Sequence, residues 1–441
     1  MSENNREITK HVGSVCYIDA AIQSNAGHHA NACRHFVGEF RRRGFVVHAY
    51  GNQDLDSSLA QELHIEPLFR HLPYLRPRGE GSASYFVERS SFLHDVKSAW
   101  RREPCDIMFF HSPLAAQFAA VALWLQQFHP DESPFLIVGF DTPSGNRLTA
   151  DNPFHYYSRF YRKAGKLFDL RYLPRTLLFT FDLAVTDDYA ELLNLPIQTM
   201  PAIHKGLREP RLRERDADGL ITVAFLGHQR FEKGYHLIPE IVRQLLGRPL
   251  PLKLLIHNGA AVDCPFSQQL RALASEHPRV AFVEKPGDQF HWQDLLDRSD
   301  LIVLPYEPDR YRRSGSGVAT EAVSEGIPMV VPSGSTMETL AIRYQGCATT
   351  FSTWDSHAVT CGIERAVANF EILAKQAEAG AVEWRLSNGV ALFVDRVLNI
   401  AAFNKGSLVI KPSERSIYDA VMDRVLTRLV FGRRGPVRRQ S

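Results

Sequence analysis

The sequence holds six cysteines in 441 residues and no CxxC pair among them. Cys16, Cys33, Cys105, Cys264, Cys347 and Cys361 are scattered, which excludes a zinc-type spacing and a compact disulfide framework. Reduced thiols in a cytoplasmic protein fit that pattern. Long apolar runs are missing too. The longest, Phe118 to Leu125, falls well short of the ~20 residues needed to span a bilayer. The opening MSENNREITKHVG carries no apolar signal core. The expectation is a soluble cytoplasmic chain, or one resting on the inner membrane face. Net charge is nearly absent: 51 Lys and Arg against 49 Asp and Glu leave +2, which excludes a wholesale nucleic-acid binder. No short-period repeat and no low-complexity tract occurs.

What is present is ordinary globular usage, 44% hydrophobic and 23% charged, over a length that calls for two cores. Strand-like and helix-like runs alternate. SVCYID (Ser14–Asp19), VVHAYG (Val46–Gly51), DIMFFH (Asp106–His111), PFLIVGF (Pro134–Phe140), FDLAVT (Phe181–Thr186) and IQTMPA (Ile197–Ala202) read as strands of the first half. Helical stretches at Ala26–Gly44 and Leu114–Phe128 lie between them. A second series follows at Ile221–Gly227, Leu252–Gly259, Val280–Glu284, Leu301–Tyr306 and Pro328–Ser333. Near-continuous apolar strands of this kind belong to parallel sheets covered on both faces. The expected fold is α/β, two doubly wound Rossmann-like domains. The expected divisions are 1–207, a polar linker at 208–219, 220–400, and a tail at 401–441.

The stretch RSGSGVATEAVSEGIP (Arg313–Pro328) could be a dinucleotide loop, another phosphate cradle, or a plain helix start. The dinucleotide fingerprint puts its first glycine directly after a strand. Here EPDRYRRS separates Gly315 from the strand ending near Tyr306, so that reading fails. Ser314, Gly315, Ser316 and Gly317 then feed a helix whose free N–H groups favour an anion; a flexible helix start is the competing reading. Glu321 sits about one turn into this helix, and Val318 three residues before it cannot complete a capping box. An acceptor-only carboxylate there suits the vicinal hydroxyls of a ribose; complementing the helix dipole is the alternative. FLGHQRFEKGYHLIPEI (Phe225–Ile241) ends a strand at Gly227, then carries His228, Arg230 and Lys233 before a helix expected near Gly234. Cations beside such a loop make a diphosphate site. Alone, the loop could equally be a solvated charged turn.

In order and spacing these two stretches resemble the C-terminal domain of GT-B glycosyltransferases, particularly the large retaining family numbered four. Gly227, Lys233 and Gly234 match that family's first motif, and Glu321, Ala322, Gly326, Pro328 and Val330 its second. Two departures stand out. His228 replaces the usual arginine, with Arg230 two residues on, and Arg313 fills the slot of the glutamate that contacts the transferred sugar. A guanidinium at 313 would suit an acidic donor sugar or touch the diphosphate. The resemblance implies two domains facing a central cleft and transfer of a sugar from a nucleotide-sugar with retained configuration. It implies an acceptor that is a glycan or lipid-linked, and neither metal nor cofactor beyond that co-substrate. It assigns Lys233 and Arg230 or His228 to the departing diphosphate, and Gly227, Arg313 through Gly317 and Glu321 to the donor.

In the first half the resemblance places Gly27 and His28, in NAGHHAN, near donor and acceptor, and His111 near the donor sugar. His111 ends a parallel strand, where open α/β sheets bind ligands. For Gly27 and His28 an ordinary helix start competes. Asp141 in GFDTPSG could orient an acceptor hydroxyl or simply form a turn before Thr-Pro. In the tail, Ile417, Val421, Val425 and Leu429 recur at helical spacing beside Arg424 and Arg428. Packing on the body of the protein is one reading and an anionic membrane surface the other. Two rival functions remain: a sugar-nucleotide epimerase of the same fold, and a non-catalytic sugar-nucleotide binder.

Overall fold

A computed structural model of the chain describes residues 13–24, 28–73, 81–140, 155–203, 212–213, 218–285 and 289–404. Contacts divide the chain into two compact units, Met1–Thr199 with Val394–Ser441, and Met200–Phe393.

The first unit runs β1 (Ser14–Ile18), α1 (His28–Arg42), β2 (Val46–Asn52), α2 (Ser57–Leu63), β3 (Ile65–Phe69), α3 (Gly81–Arg102) and β4 (Ile107–His111). It continues α4 (Ala115–Leu125), β5 (Phe135–Gly139), α5 (His155–Leu167), β6 (Thr176–Thr180), α6 (Leu183–Leu193) and β7 (Gln198–Thr199). Its seven strands are ordered β3-β2-β1-β4-β5-β6-β7, and the pairs are parallel. Every residue of β4, β5 and β6 is buried. Helices therefore cover both faces, which is why these strands read as unbroken apolar runs. The direction of winding reverses between β1 and β4.

The second unit runs β8 (Ile221–Phe225), α7 (Ile238–Leu246), β9 (Leu252–His257), α8 (Pro265–Glu276), β10 (Val280–Val283), α9 (Gln289–Asp297) and β11 (Leu301–Val303). Then come α10 (Gly317–Ser324), β12 (Met329–Pro332), α11 (Thr336–Arg343), β13 (Ala348–Phe351), α12 (Ser356–Ala368) and α13 (Phe370–Ser387); the last helix, α14 (Val390–Asn404), starts in this unit and belongs to the first from Val394 on. The order β10-β9-β8-β11-β12-β13 is again parallel, with its reversal between β8 and β11. Each unit is thus a Rossmann-like domain with a separate apolar core. No described helix is long and apolar enough to cross a membrane.

Three local expectations are corrected. Phe181–Thr186 is no strand: Asp182 accepts the Ala184 and Val185 N–H groups and starts α6, while the strand is the preceding Thr176–Thr180. The IQTMPA strand shrinks to Gln198–Thr199. The helix expected near Gly234 begins at Ile238, after short 3-10 turns at Phe231–Lys233 and Tyr235–Leu237. Most of 208–219 lies outside the described residues, but Arg213 within it is buried. Its guanidinium donates to the carbonyls of Leu296, Asp297, Ser299 and Glu325.

Candidate functional site

Ligands of open α/β sheets settle beyond the strand ends where the winding reverses. In the second unit that point lies between the loop after β8 and the loop after β11. Gly227 leaves β8 at φ +114°, a region side-chain-bearing residues rarely adopt. Gln229 secures the loop by donating to the carbonyl oxygens of Gly227 (2.7 Å) and His257 (2.8 Å). The chain then tightens into the Phe231–Lys233 turn and leaves it at Gly234, φ +71°. A Cβ on Gly234 would run into the Pro305 carbonyl oxygen. The Glu307 N–H donates to the Glu232 carbonyl at 2.9 Å, so the two loops are joined.

This packing sets Lys233. Its Nζ lies 5.1 Å from the centre of the buried Tyr306 ring and 3.7 Å from where a Gly227 Cβ would stand. Burial, and then the charge of Arg230, lower the ammonium to about 8 against the pull of Glu232 and Glu321. Desolvation of the ring, then the charges of Lys233, Arg230 and His257, likewise lower His228. Arg230 is exposed at the start of the turn, 3.5 Å from Glu232. Three basic side chains thus crowd one loop, and the carboxylates of Glu232 and Glu321 offset their charge only in part.

The second half of this site is α10. Ser316 caps it, its hydroxyl accepting the Ala319 N–H at 3.3 Å. The Ser316 hydroxyl also opposes the burial that pushes Tyr306 well above its ordinary value. Thr336 donates to the Ser314 carbonyl at 2.6 Å and pins the preceding loop. Nothing lies within 4 Å of where a Cβ would sit on Gly315 or Gly317, so backbone is presented bare there. Arg313 is half-buried in the same loop. One turn in, Glu321 accepts the Trp292 indole N–H on Oε2 at 2.9 Å. Burial, reinforced by Glu325, pushes its carboxyl up to about 7, while Trp292 and Lys233 oppose the shift. Gly227 and Lys233 therefore gather at Tyr306, and Lys233 and Glu321 act on each other by charge.

In the first unit, the reversal point holds a cluster of three residues. Asp19 follows β1 and is 1% exposed; His111 ends β4; His29 sits in the first turn of α1. Both histidines place Nδ1 2.8 Å from the same Asp19 Oδ2, and the Ala21 N–H reaches Oδ1 at 3.0 Å. Burial alone would raise the Asp19 carboxyl, but His29 and His111 hold it well below the usual range. The three ligand-type atoms lie within 4.8 Å of one another, close enough to surround a metal ion. Ser112, next to His111, adopts φ +53° while its N–H donates to the Gly139 carbonyl at 2.8 Å. Strained backbone of this sort gathers at functional sites. His28 opens α1, exposed, its ring 4.1 Å from that of His29. Gly27 and Asp141 lie outside the described residues.

Asp19, His29, Trp292 and Tyr306 were not singled out in the sequence. Asp19 ends the run SVCYID, and an acid closing a buried parallel strand was the available signal.

No family model and no curated protein sequence matches the chain. Solved structures do. Sucrose-phosphate synthase from Thermosynechococcus elongatus superposes with a TM-score of 0.64 at 14% identity, over 88% of this chain and 98% of that one. HepE from Anabaena, solved with UDP-glucose, gives 0.57 at 13%, over 89% and 100%. A putative UDP-N-acetylglucosamine 2-epimerase from Listeria monocytogenes gives 0.54 at 15%, over 90% and 99%. The chain has the GT-B fold. At these identities the likeness is one of fold, and function must be argued from the site.

Proposed function

We propose that the chain is a glycosyltransferase moving a sugar from a nucleoside-diphosphate-sugar to a carbohydrate or lipid-linked acceptor, with retained configuration. One observation carries the proposal: at a single reversal point Lys233 Nζ and Val318, in the first turn of α10, lie 3.7 and 3.6 Å from where a Gly227 Cβ would stand, beside the bare Gly315 and Gly317 and with Glu321 one turn into the helix. The spacing suits a diphosphate at the cations and a ribose at the carboxylate. HepE, whose structure was solved with UDP-glucose, makes UDP the first nucleotide to test.

In this reading the bond from the sugar's anomeric carbon to the diphosphate oxygen breaks as the acceptor oxygen bonds to the same face. The acceptor's proton leaves with the diphosphate. Charge developing on that leaving group is stabilised by Lys233, with Arg230 or His228, and by the N–H groups opening α10. Arg313 reads the donor's sugar, and His111, fixed by Asp19, is the first unit's candidate for it. His28 and Asp141 belong to the acceptor, and the tail to an anionic membrane surface.

The epimerase likeness supports a second reading, inversion of a sugar stereocentre without any acceptor. Incubation with UDP-sugars separates the two. Transfer predicts UDP release that rises when an acceptor is added, whereas epimerisation predicts a changed sugar-nucleotide and no free UDP. Absence of any thermal shift with nucleoside diphosphates or their sugars would remove both.

A further inference from the structure

We infer that Trp292 is a positioning residue for the nucleotide: its indole N–H fixes the Glu321 carboxylate and leaves Oε1 to the ribose. The inference rests on the reading of Glu321 as the ribose acceptor.

The geometry is specific. Trp292 stands on α9 and Glu321 on α10, and their 2.9 Å hydrogen bond joins two helices separated by β11. An indole has one N–H and no acceptor, so it can satisfy a carboxylate oxygen and do nothing else polar. A glutamate has three rotatable bonds, and one turn inside a helix it could swing towards Lys233 or towards solvent. With Oε2 engaged, the plane of the carboxylate is set before any ligand arrives. The indole is itself held: Trp292 is half-buried, packs on the core of the second unit, and lies 5.8 Å from the His257 ring. His257 is anchored in turn by a 2.9 Å contact between Nε2 and the Lys285 carbonyl. A chain of rigid rings thus runs from the ends of β9 and β10 to the carboxylate. Such preorganisation lowers the ordering cost of binding.

The indole also acts on charge. Glu321 faces Lys233 from the β8 loop, Tyr306 from the β11 loop, Glu325 along its own helix and Trp292 from α9, with His291 and His257 beyond the indole. Donation from the indole favours the ionised form, the form that accepts a ribose hydroxyl.

The test is calorimetry of UDP with the full chain at pH 6.5, 7.5 and 8.5, comparing wild type, Trp292→Phe and Glu321→Gln. Trp292→Phe keeps a ring and deletes the N–H. Titration of the UDP phosphate is common to all proteins and cancels in the ratio of affinities. The expected result is about a five- to tenfold loss for Trp292→Phe at pH 6.5, below the roughly ten- to hundredfold of a direct hydrogen bond to a charged group because the indole acts through the carboxylate. The loss should be smaller at pH 8.5, where less of Glu321 is protonated, and what remains there is the part due to orientation. Trp292→His, which retains a ring N–H, should restore part of the affinity at pH 6.5, and it serves as the second variant if the phenylalanine protein does not fold. No loss at any pH, or a loss that Trp292→His does not relieve, overturns the inference while a loss in Glu321→Gln leaves the ribose reading standing. Unchanged UDP binding in Glu321→Gln, or no UDP binding by wild type, overturns both.

Discussion

Lys233 and Glu321 each sit in surroundings that disfavour their own charge. The ammonium is held at about 8, against about 10.4 in an unfolded chain. Folding is therefore opposed by the charged lysine below pH 8, and the opposition fades as pH rises from 8 towards 10.4. The carboxyl is pushed to about 7, against about 4.3 unfolded. Its penalty is complete above pH 7 and fades as pH falls below it. Lys233→Met should accordingly raise the melting temperature of the ligand-free protein at pH 7 by a few degrees, and shrink the further rise that UDP gives. Differential scanning calorimetry with and without UDP checks both; a lower melting temperature would mean that Lys233 is a structural cation. Gly234→Ala should do the reverse, losing more than about 1 kcal/mol in urea denaturation, because the residue has φ +71° and a Cβ meets Pro305. Gly227, Lys233, Ser316 and Glu321 were legible because they fall within two short, locally punctuated stretches. Asp19 and His111 were not legible as a pair: 92 residues separate them, and only the adjacency of β1 and β4 joins them. The same holds for Trp292 and Glu321, 29 residues apart on different helices.

At the scale of elements, capping decided where the sequence reading erred. FDLAVT is apolar enough for a strand, but Asp182 accepts two N–H groups of the following turn and commits those residues to α6. Replacing Asp182 with Ala should cost about 0.5–2 kcal/mol, read as a lower urea midpoint with an unchanged slope. No effect would mean that the helix is held by packing alone. In α10 the cap is Ser316, five residues before Glu321. The cap bond goes to the Ala319 N–H, so Glu321 lies beyond it and takes no part in it. Most of the parallel strands were legible from their unbroken apolar runs; β6 was placed one segment late, at FDLAVT. β3 and β13 were not, because exposed and half-buried residues interrupt them at the sheet edges.

For the whole molecule, two reversal points in two separately cored units explain why one chain carries two clusters of unusual side chains. The second unit's cluster is built wholly from residues 227–321, so binding of nucleotide should not need the tail. Deleting residues 413–441 should leave UDP affinity within about twofold while lowering retention on vesicles containing anionic lipid. Unchanged vesicle retention would assign the tail to packing.

The most direct measurement is calorimetry of uridine, UMP and UDP against Glu321→Gln and Lys233→Ala. Glu321→Gln should weaken all three ligands, roughly ten- to a hundredfold, because every one carries the ribose. Lys233→Ala should leave uridine nearly unchanged, weaken UMP and weaken UDP most, because the ammonium meets only phosphate. Parallel losses for every ligand in both variants, or none in either, would contradict the assignment of this site to a nucleotide.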